Sequence, residues 1–217
     1  MRNRFDEQLS LLNKELIEMG SLCEEVISLS VTSLVEGDLS KAKGVARIDN
    51  EIDQMERQIE SICLKMLLQQ QPVAHDLRQI SAALKMITDM ERIGDQAADI
   101  AEIIPFLNGR TGSECEDIRL MASAAAGMVT DSIDAYVKQD VDMANNVILR
   151  DDVVDNYFDK IKKSLISMIS SNPEDGEYAI DLMMIVKYFE RIGDHATNIA
   201  EWVLFSVTGV HKGAQEL

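Results

Sequence analysis

Aromatic residues make up only 5% of this 217-residue chain, and there are only 3 prolines. A sheet protein draws heavily on aromatic and β-branched side chains and on frequent turn residues, so this scarcity argues against one. The 12 methionines and a hydrophobic content of 46% point instead to helices packed through aliphatic side chains, and the expected fold class is all-α. Cysteine is also scarce. Cys23, Cys63 and Cys115 are odd in number, far apart and in no Cys-x-x-Cys pattern, which argues against a disulfide framework and a thiolate zinc site and fits small core residues in a reducing compartment. Basic charge is in short supply as well. Against 38 acidic residues stand 21 Lys and Arg, a formal charge of −17 that repels nucleic acid and anionic lipid headgroups, so no nucleic-acid partner is expected. No apolar run approaches the roughly 18 residues of a membrane span, and the N-terminal stretch has no apolar signal region. The expected location is cytoplasmic, with membrane association peripheral at most.

Catalytic signatures are missing too. There is no Gly-x-Ser-x-Gly, no glycine-rich phosphate loop, and no Glu-x-x-His pair of the kind di-iron oxidase bundles use, so no enzyme activity is expected.

What the chain does have is helical periodicity, interrupted at few places. Phe5, Leu9, Leu12, Leu16, Met19, Cys23 and Val26 alternate steps of four and three and predict a helix from Phe5 to about Glu36. Gly37-Asp38 breaks it, with Asp38 or Ser40 available as the next N-cap. A second helix is predicted from about Ser40 to Gln70, ended by Pro72, and a third from about Val73 to Ile104. The predicted second half is about Glu114 to Lys138, Val141 to Ser170 and Asp175 to Phe205, broken at Gln139-Asp140 and Asn172-Pro173. His75 is expected at the surface, His195 is read as peripheral, and His211 falls in a tail expected to fray.

The halves are copies. Glu91-Arg92-Ile93-Gly94-Asp95 returns as Glu190-Arg191-Ile192-Gly193-Asp194, and Asp38, Ala42, Val45, Asp49, Ile52 and Asp53 align with Asp140, Ala144, Val147, Asp151, Val154 and Asp155. The second copy is three residues shorter between its second and third helices. Two tandem three-helix bundles follow, expected over residues 1–107 and 114–217 with a linker at 108–113.

Within each third helix the inward stripe turns acidic. Ile80, Leu84 and Ile87 lead into Glu91, Gly94 and Asp95; Met183 and Val186 lead into Glu190, Gly193 and Asp194. Like charges four apart on one helix repel, so something must offset them. The second helix adds Asp49 with Asp53 and Asp151 with Asp155, and antiparallel packing would gather four to six carboxylates in each half. Their natural occupant is a hard cation such as iron, manganese, magnesium or calcium, with zinc less suited. Asp99 and Asn198, one turn further on, are candidate extra oxygen ligands. Gly94 and Gly193, each costing about 1 kcal/mol in mid-helix against Ala, would let a metal or a neighbouring backbone approach. Arg92 and Arg191 are expected beside their own clusters. A solvated acidic face is the plain alternative, and a metal-dependent enzyme, a metal store or a metal-free scaffold are the competing functional classes.

The two Glu-Arg-Ile-Gly-Asp copies, their Asp-Ile-Ala-Glu and Asn-Ile-Ala-Glu continuations, the Asp49-Asn50-Glu51-Ile52-Asp53 run and the closing Val203-Leu204-Phe205-Ser206-Val207-Thr208-Gly209 resemble the PhoU family over residues 5–209. That resemblance implies a cytoplasmic regulator of phosphate uptake, built from two three-helix bundles and self-associating as a homodimer. It would restrain transport and phosphate-starvation gene expression, acting with the ATPase subunit of the phosphate ABC transporter and with a phosphate-sensing histidine kinase. It also implies multinuclear metal clusters, iron in some members, in a groove open to solvent. Carried over, the ligands would be Asp49, Asp53, Glu91 and Asp95 in one cluster and Asp151, Asp155, Glu190 and Asp194 in the other.

Overall fold

Among the described residues the chain forms six helices: α1 Arg2–Glu36, α2 Leu39–Gln70, α3 Ala74–Ile103, α4 Glu114–Lys138, α5 Val141–Ser171 and α6 Gly176–Thr208, with short 3-10 turns at Ile104–Leu107 and Pro173–Asp175. They are seen in a computed structural model, which describes residues 2–70, 72–110, 112 and 114–210. His211 lies outside the described residues. The helix ends match the expected ones to within a few residues, because the breaks are set by local chemistry. Gly37 takes φ 65° and Asp38 Oδ1 accepts from the Ser40 amide at 2.8 Å; in the second half Gln139 takes φ 54° and Asp140 Oδ1 accepts from the Met143 amide at 2.9 Å. One turn design serves both halves. α6 stops at Gly209, whose φ of 79° lets its amide bond back to the Phe205 carbonyl.

The helices group as two triads, α1-α2-α3 and α4-α5-α6. In the first, Gln58 Nε2 donates to Glu15 Oε2 at 2.7 Å between α2 and α1, and Gly94 of α3 faces Asp49 and Ile52 of α2. The Ser30 hydroxyl reaches the Ala97 carbonyl at 3.2 Å, holding α1 alongside α3. In the second triad Lys160 donates to Asp117 at 2.8 Å and Arg150 pairs with Asp131 between α5 and α4, and Gly193 of α6 faces Val154 of α5. The triads join through α3 on α6 and α1 on α4. On the α3–α6 seam the partners run in opposite directions, Arg78 with Ser206 and Asp89 with Asn198.

A single aliphatic cluster runs through all six helices, with Leu12, Leu16, Met19, Ile52, Ile59, Met86, Met128, Leu182 and Ile192 at 0% exposure. Burial of each such side chain contributes about 1.5–3 kcal/mol, whereas exposed pairs such as Arg47–Glu51 contribute under about 1 kcal/mol, so apolar packing holds the fold. The three cysteines are buried, and burial pushes the Cys23 and Cys63 thiols up to about 12, as inert core residues require. No helix among the described residues is long and apolar enough to cross a membrane.

Candidate functional site

α2 and α3 bring Asp49, Asp53, Glu91, Asp95 and Asp99 into one electrostatic neighbourhood, joined by Glu56 one turn beyond Asp53. The mid-helix glycine explains how they fit. A Cβ on Gly94 would stand 2.8 Å from Asp49 Oδ1 and 3.2 Å from Ile52 Cδ1, so the glycine is the seat of an α2 carboxylate. Sequence reasoning expected a metal or a backbone to use that space. A side chain from the neighbouring helix uses it instead.

Crowding shows in the carboxyl groups. Burial first, then Asp53, Asp95 and Asp99, push Asp49 up to about 6. Its Oδ1 is buried and has no hydrogen-bond partner. Burial and Asp95 raise Glu91, with Arg92 opposing; burial, Glu102 and Asp95 raise Asp99, with the Tyr188 hydroxyl and Arg191 opposing. Arg92 bridges Asp95 at 2.9 Å and Glu91 at 3.4 Å.

The second set is assembled the same way from α5 and α6. Burial, Glu190 and Asp151 push Asp194 up to about 6 against the pull of Lys187; burial and Asp155 raise Asp151; burial and Glu190 raise Asp155. Lys187 ion-pairs with Glu190. Side-chain exposures of 17% at Glu190, 22% at Glu91, 35% at Asp53 and 38% at Asp95 put both sets at the molecular surface, partly covered.

The two halves differ at the outer ligand candidates. Asp99 joins its set, but Asn198 donates through Nδ2 to Asp89 Oδ1 at 3.1 Å across the α3–α6 seam. His195 was read as peripheral; its Nδ1 lies 2.9 Å from the same Asp89 oxygen, so it belongs to the contact between triads. Arg191 was expected beside its own cluster and instead lies by Asp99 and Tyr188, because antiparallel packing of α6 on α3 carries it to the other half's set. Asp89, Tyr188 and Lys187 were not singled out from sequence. Position-by-position comparison of the two repeats would have found Lys187, where the first copy has Thr88.

As donors for a metal, the sets offer carboxylate oxygen alone, which suits a hard cation, and the partnerless Asp49 Oδ1 beneath Gly94 is an acceptor ready for one. Among the described residues, no three His, Cys, Asp or Glu side chains are gathered closely enough as they stand to hold one ion. The donor type therefore suits a hard cation, but the spacing as it stands does not.

Matched triads with an acidic set on each define a duplicated helical-bundle protein with paired anionic surfaces. The sequence matches the PhoU domain twice, over residues 16–104 and 118–203. It is 36% identical over 210 residues to the phosphate-specific transport system accessory protein PhoU homolog of Clostridium acetobutylicum, covering 96% of each chain. The corresponding Pseudomonas aeruginosa homolog is 33% identical over 208 residues, 95% of this chain and 86% of that one. The crystal structure of PhoU from Pseudomonas aeruginosa superposes with a TM-score of 0.89 at 33% identity, over 95% of this chain and 100% of that chain. The phosphate transport system regulatory protein PhoU from Streptococcus pneumoniae, at 24% identity, shares the fold with a TM-score of 0.87 over 95% of this chain and 98% of that one. The chain belongs to the PhoU family, whose members are accessory and regulatory proteins of phosphate transport and not enzymes.

Proposed function

We propose that this member regulates phosphate uptake and phosphate-starvation signalling in the cytoplasm, taking metal ions at its two carboxylate sets and docking on the ATPase subunit of the phosphate ABC transporter and on a phosphate-sensing histidine kinase. Asp49, Asp53, Glu91, Asp95 and Asp99 would hold one centre and Asp151, Asp155, Glu190 and Asp194 the other, with Asn198 able to enter once it leaves Asp89. The metal is iron in a multinuclear centre, with manganese, magnesium or zinc as the alternatives. The observation that carries the reading is the doubled convergence of carboxylates beneath a glycine, with one oxygen left buried and unpartnered. Bound metal would supply positive charge where these carboxylates repel one another. The chain's own part is to tie α2 to α3 and α5 to α6 through that charge, fixing the surface offered to partners. The proposed assembly is a homodimer, with residues 1–107 and 114–217 as the two repeats and 108–113 as the joint.

Elemental analysis of purified protein beside a variant with Glu91, Asp95, Glu190 and Asp194 changed to Ala tests the metal. Bound metal in the wild type and its loss in the variant are expected. Equal, low metal in both would favour a metal-free scaffold, the reading that the open spacing of the carboxylates supports. Deleting the gene is expected to derepress phosphate-starvation genes in high phosphate, and an unchanged response would count against the regulatory role.

A further inference from the structure

Each triad carries an apolar groove between the start of its second helix and the end of its third. In the first half Leu39, Ala42, Ala46, Ala98, Ala101 and Pro105 line a cavity of about 390 Å³; in the second, Val141, Ile148, Leu204, Thr208 and Val210 line one of about 420 Å³. The two occupy the same place in the repeat, since Leu39, Ala46 and Pro105 correspond to Val141, Ile148 and Leu204. Among the described residues none of α1 or α4 lines either groove, and those helices pack beneath the α2–α3 and α5–α6 pairs, so both grooves open on the side of the molecule away from them. Because α6 runs antiparallel along α3, the grooves lie toward opposite ends of that seam, about 30 Å apart at 1.5 Å of rise per residue. Apolar lining reaches solvent in both: Leu39 is 46% exposed and Val210 65%. A glutamate stands at the same position in each, Glu102 and Glu201, and the lining leads within one turn from Ala46 to Asp49 and from Ile148 to Asp151. Arg57, Arg92 and Arg191 offset part of the first acidic set and Lys187 part of the second, but carboxylates outnumber the cations on both.

We propose that the two grooves are paired docking sites for an amphipathic helix of a partner protein, its bulky apolar side chains seated in the groove and its Arg or Lys side chains facing Glu102 or Glu201 and the acidic surface beyond. This deepens, and rests on, the reading that the chain acts by docking on other proteins. A trough between two helices is the shape that receives the apolar face of a third. A small molecule would need polar groups converging inside the cavity to orient it, and here Lys43, Glu102, Asn145 and Thr208 are all exposed at the mouths. A second copy of this chain, with a formal charge of −17, brings the wrong sign to an acidic rim, whereas a basic segment is drawn to it. The linings differ in one charge. Lys43 lies in the first and Asn145 takes its place in the second, so the second groove discriminates more sharply in favour of basic segments.

The test is NMR titration of the full-length, methyl-labelled protein with a synthetic helical peptide that carries two leucines one turn apart beside two arginines. Shifts of the Ala46, Ala98, Leu204 and Val210 methyls are expected. Affinity should fall about tenfold or more when serine replaces the leucines, and fall again when glutamate replaces the arginines, the charge effect being larger at the second groove. Ala46→Trp and Thr208→Trp, both at exposed positions, fill one groove each and should abolish the response of that groove alone. Purified ATPase subunit of the phosphate transporter, measured by biolayer interferometry, should bind the doubly filled variant about tenfold or more weakly than the wild type. No methyl response, or a response that the Trp variants leave in place, would overturn the proposal, as would ATPase-subunit binding that filling both grooves does not weaken. Self-association of the wild type that is lost on filling the grooves would assign them to a second copy and overturn it as well. Peptide binding at the grooves with no binding of the ATPase subunit to the wild type would leave the grooves standing and remove the partner named above.

Discussion

The same five-residue motif sits tightly in the first half and loosely in the second. At Gly94 an added Cβ would meet a carboxylate oxygen at 2.8 Å, closer than side chains tolerate. At Gly193 it would meet the Val154 Cγ1 methyl at 3.2 Å, and the corresponding carboxylate, Asp151, stands back at 3.6 Å. Duplication copied the motif, but each copy then settled against its own neighbour. In α2 that neighbour is Asp49 with Ile52 beside it at 3.2 Å; in α5 Val154 comes equally close, and it is the carboxylate that stands back. A repeated glycine thus has two different reasons to be a glycine, one steric and charged, the other mild.

The largest expected effect breaks this comparison directly. Gly94→Val should destabilise the fold by about 3 kcal/mol, since it must displace the inaccessible oxygen of the half-buried Asp49 carboxylate as well as Ile52, whereas Gly193→Val should cost about 1 kcal/mol because only a methyl group stands in the way. Urea denaturation of the two variants decides, and equal losses would mean that the seats are equivalent. Next come the crossings between the triads. Asp89 accepts from Asn198 and lies against His195, and the corresponding places in the other copy are Tyr188 against Asp99. Asp89→Ala strips two groups of their partner and should cost about 1–2 kcal/mol; Tyr188→Phe, losing one hydroxyl at the surface, should cost about 0.5 kcal/mol. A double-mutant cycle of Asp89 with His195 should show coupling, and additive losses would deny it.

The turns give a smaller contrast. Gly37→Ala places a side chain at φ 65°, 3.4 Å from the Gly109 backbone, and should cost about 1 kcal/mol. Gln139→Gly relieves a similar φ but loses the Gln139 Nε2 bond to the Tyr136 carbonyl at 2.7 Å, for a net change within about 0.5 kcal/mol. Thermal melts at fixed pH measure both.

The smallest effect is on pH dependence. Asp49 and Asp194 have folded-state values near 6, above the ordinary 3.8, so the folded chain holds their protons more tightly than the unfolded chain does. Their contribution therefore weakens the fold as pH rises from about 4 to about 6, and the penalty is complete above that range. Asp49→Asn and Asp194→Asn should each raise the Tm at pH 7 by roughly 1–3 °C in metal-free protein, a small shift because both carboxyls are partly solvated, and should flatten the profile between pH 4 and 6. An unchanged profile in either variant would remove that carboxyl from the crowded set.

Most of the fold could be read from residue order. The steps of four and three through Leu12, Leu16 and Met19 specify a helix and its inward face, and Gly37-Asp38, Pro72 and Asn172-Pro173 specify where helices stop, because these depend on near neighbours in the chain. The acidic turn of the stripe at Glu91 and Glu190 was legible for the same reason, and the internal repeat linked it to Asp49 and Asp151. Periodicity says which face of a helix turns inward but not which helix it meets. For that reason Asp89, Tyr188 and Arg191 went unread as members of one seam: each lies on a helix flank that acquires meaning only when α6 runs antiparallel along α3.

By itself, then, the sequence determined six helices, their boundaries, the doubling of the bundle and the identity of the carboxylates, all consequences of local backbone chemistry and of a pattern stated twice. Tertiary structure alone decided that Gly94 seats an aspartate, that Arg191 serves the opposite half's set, and that Lys187 stands as a cation inside the second set. Those facts depend on distances between side chains remote in the chain, and such distances exist only once the apolar faces have chosen their partners.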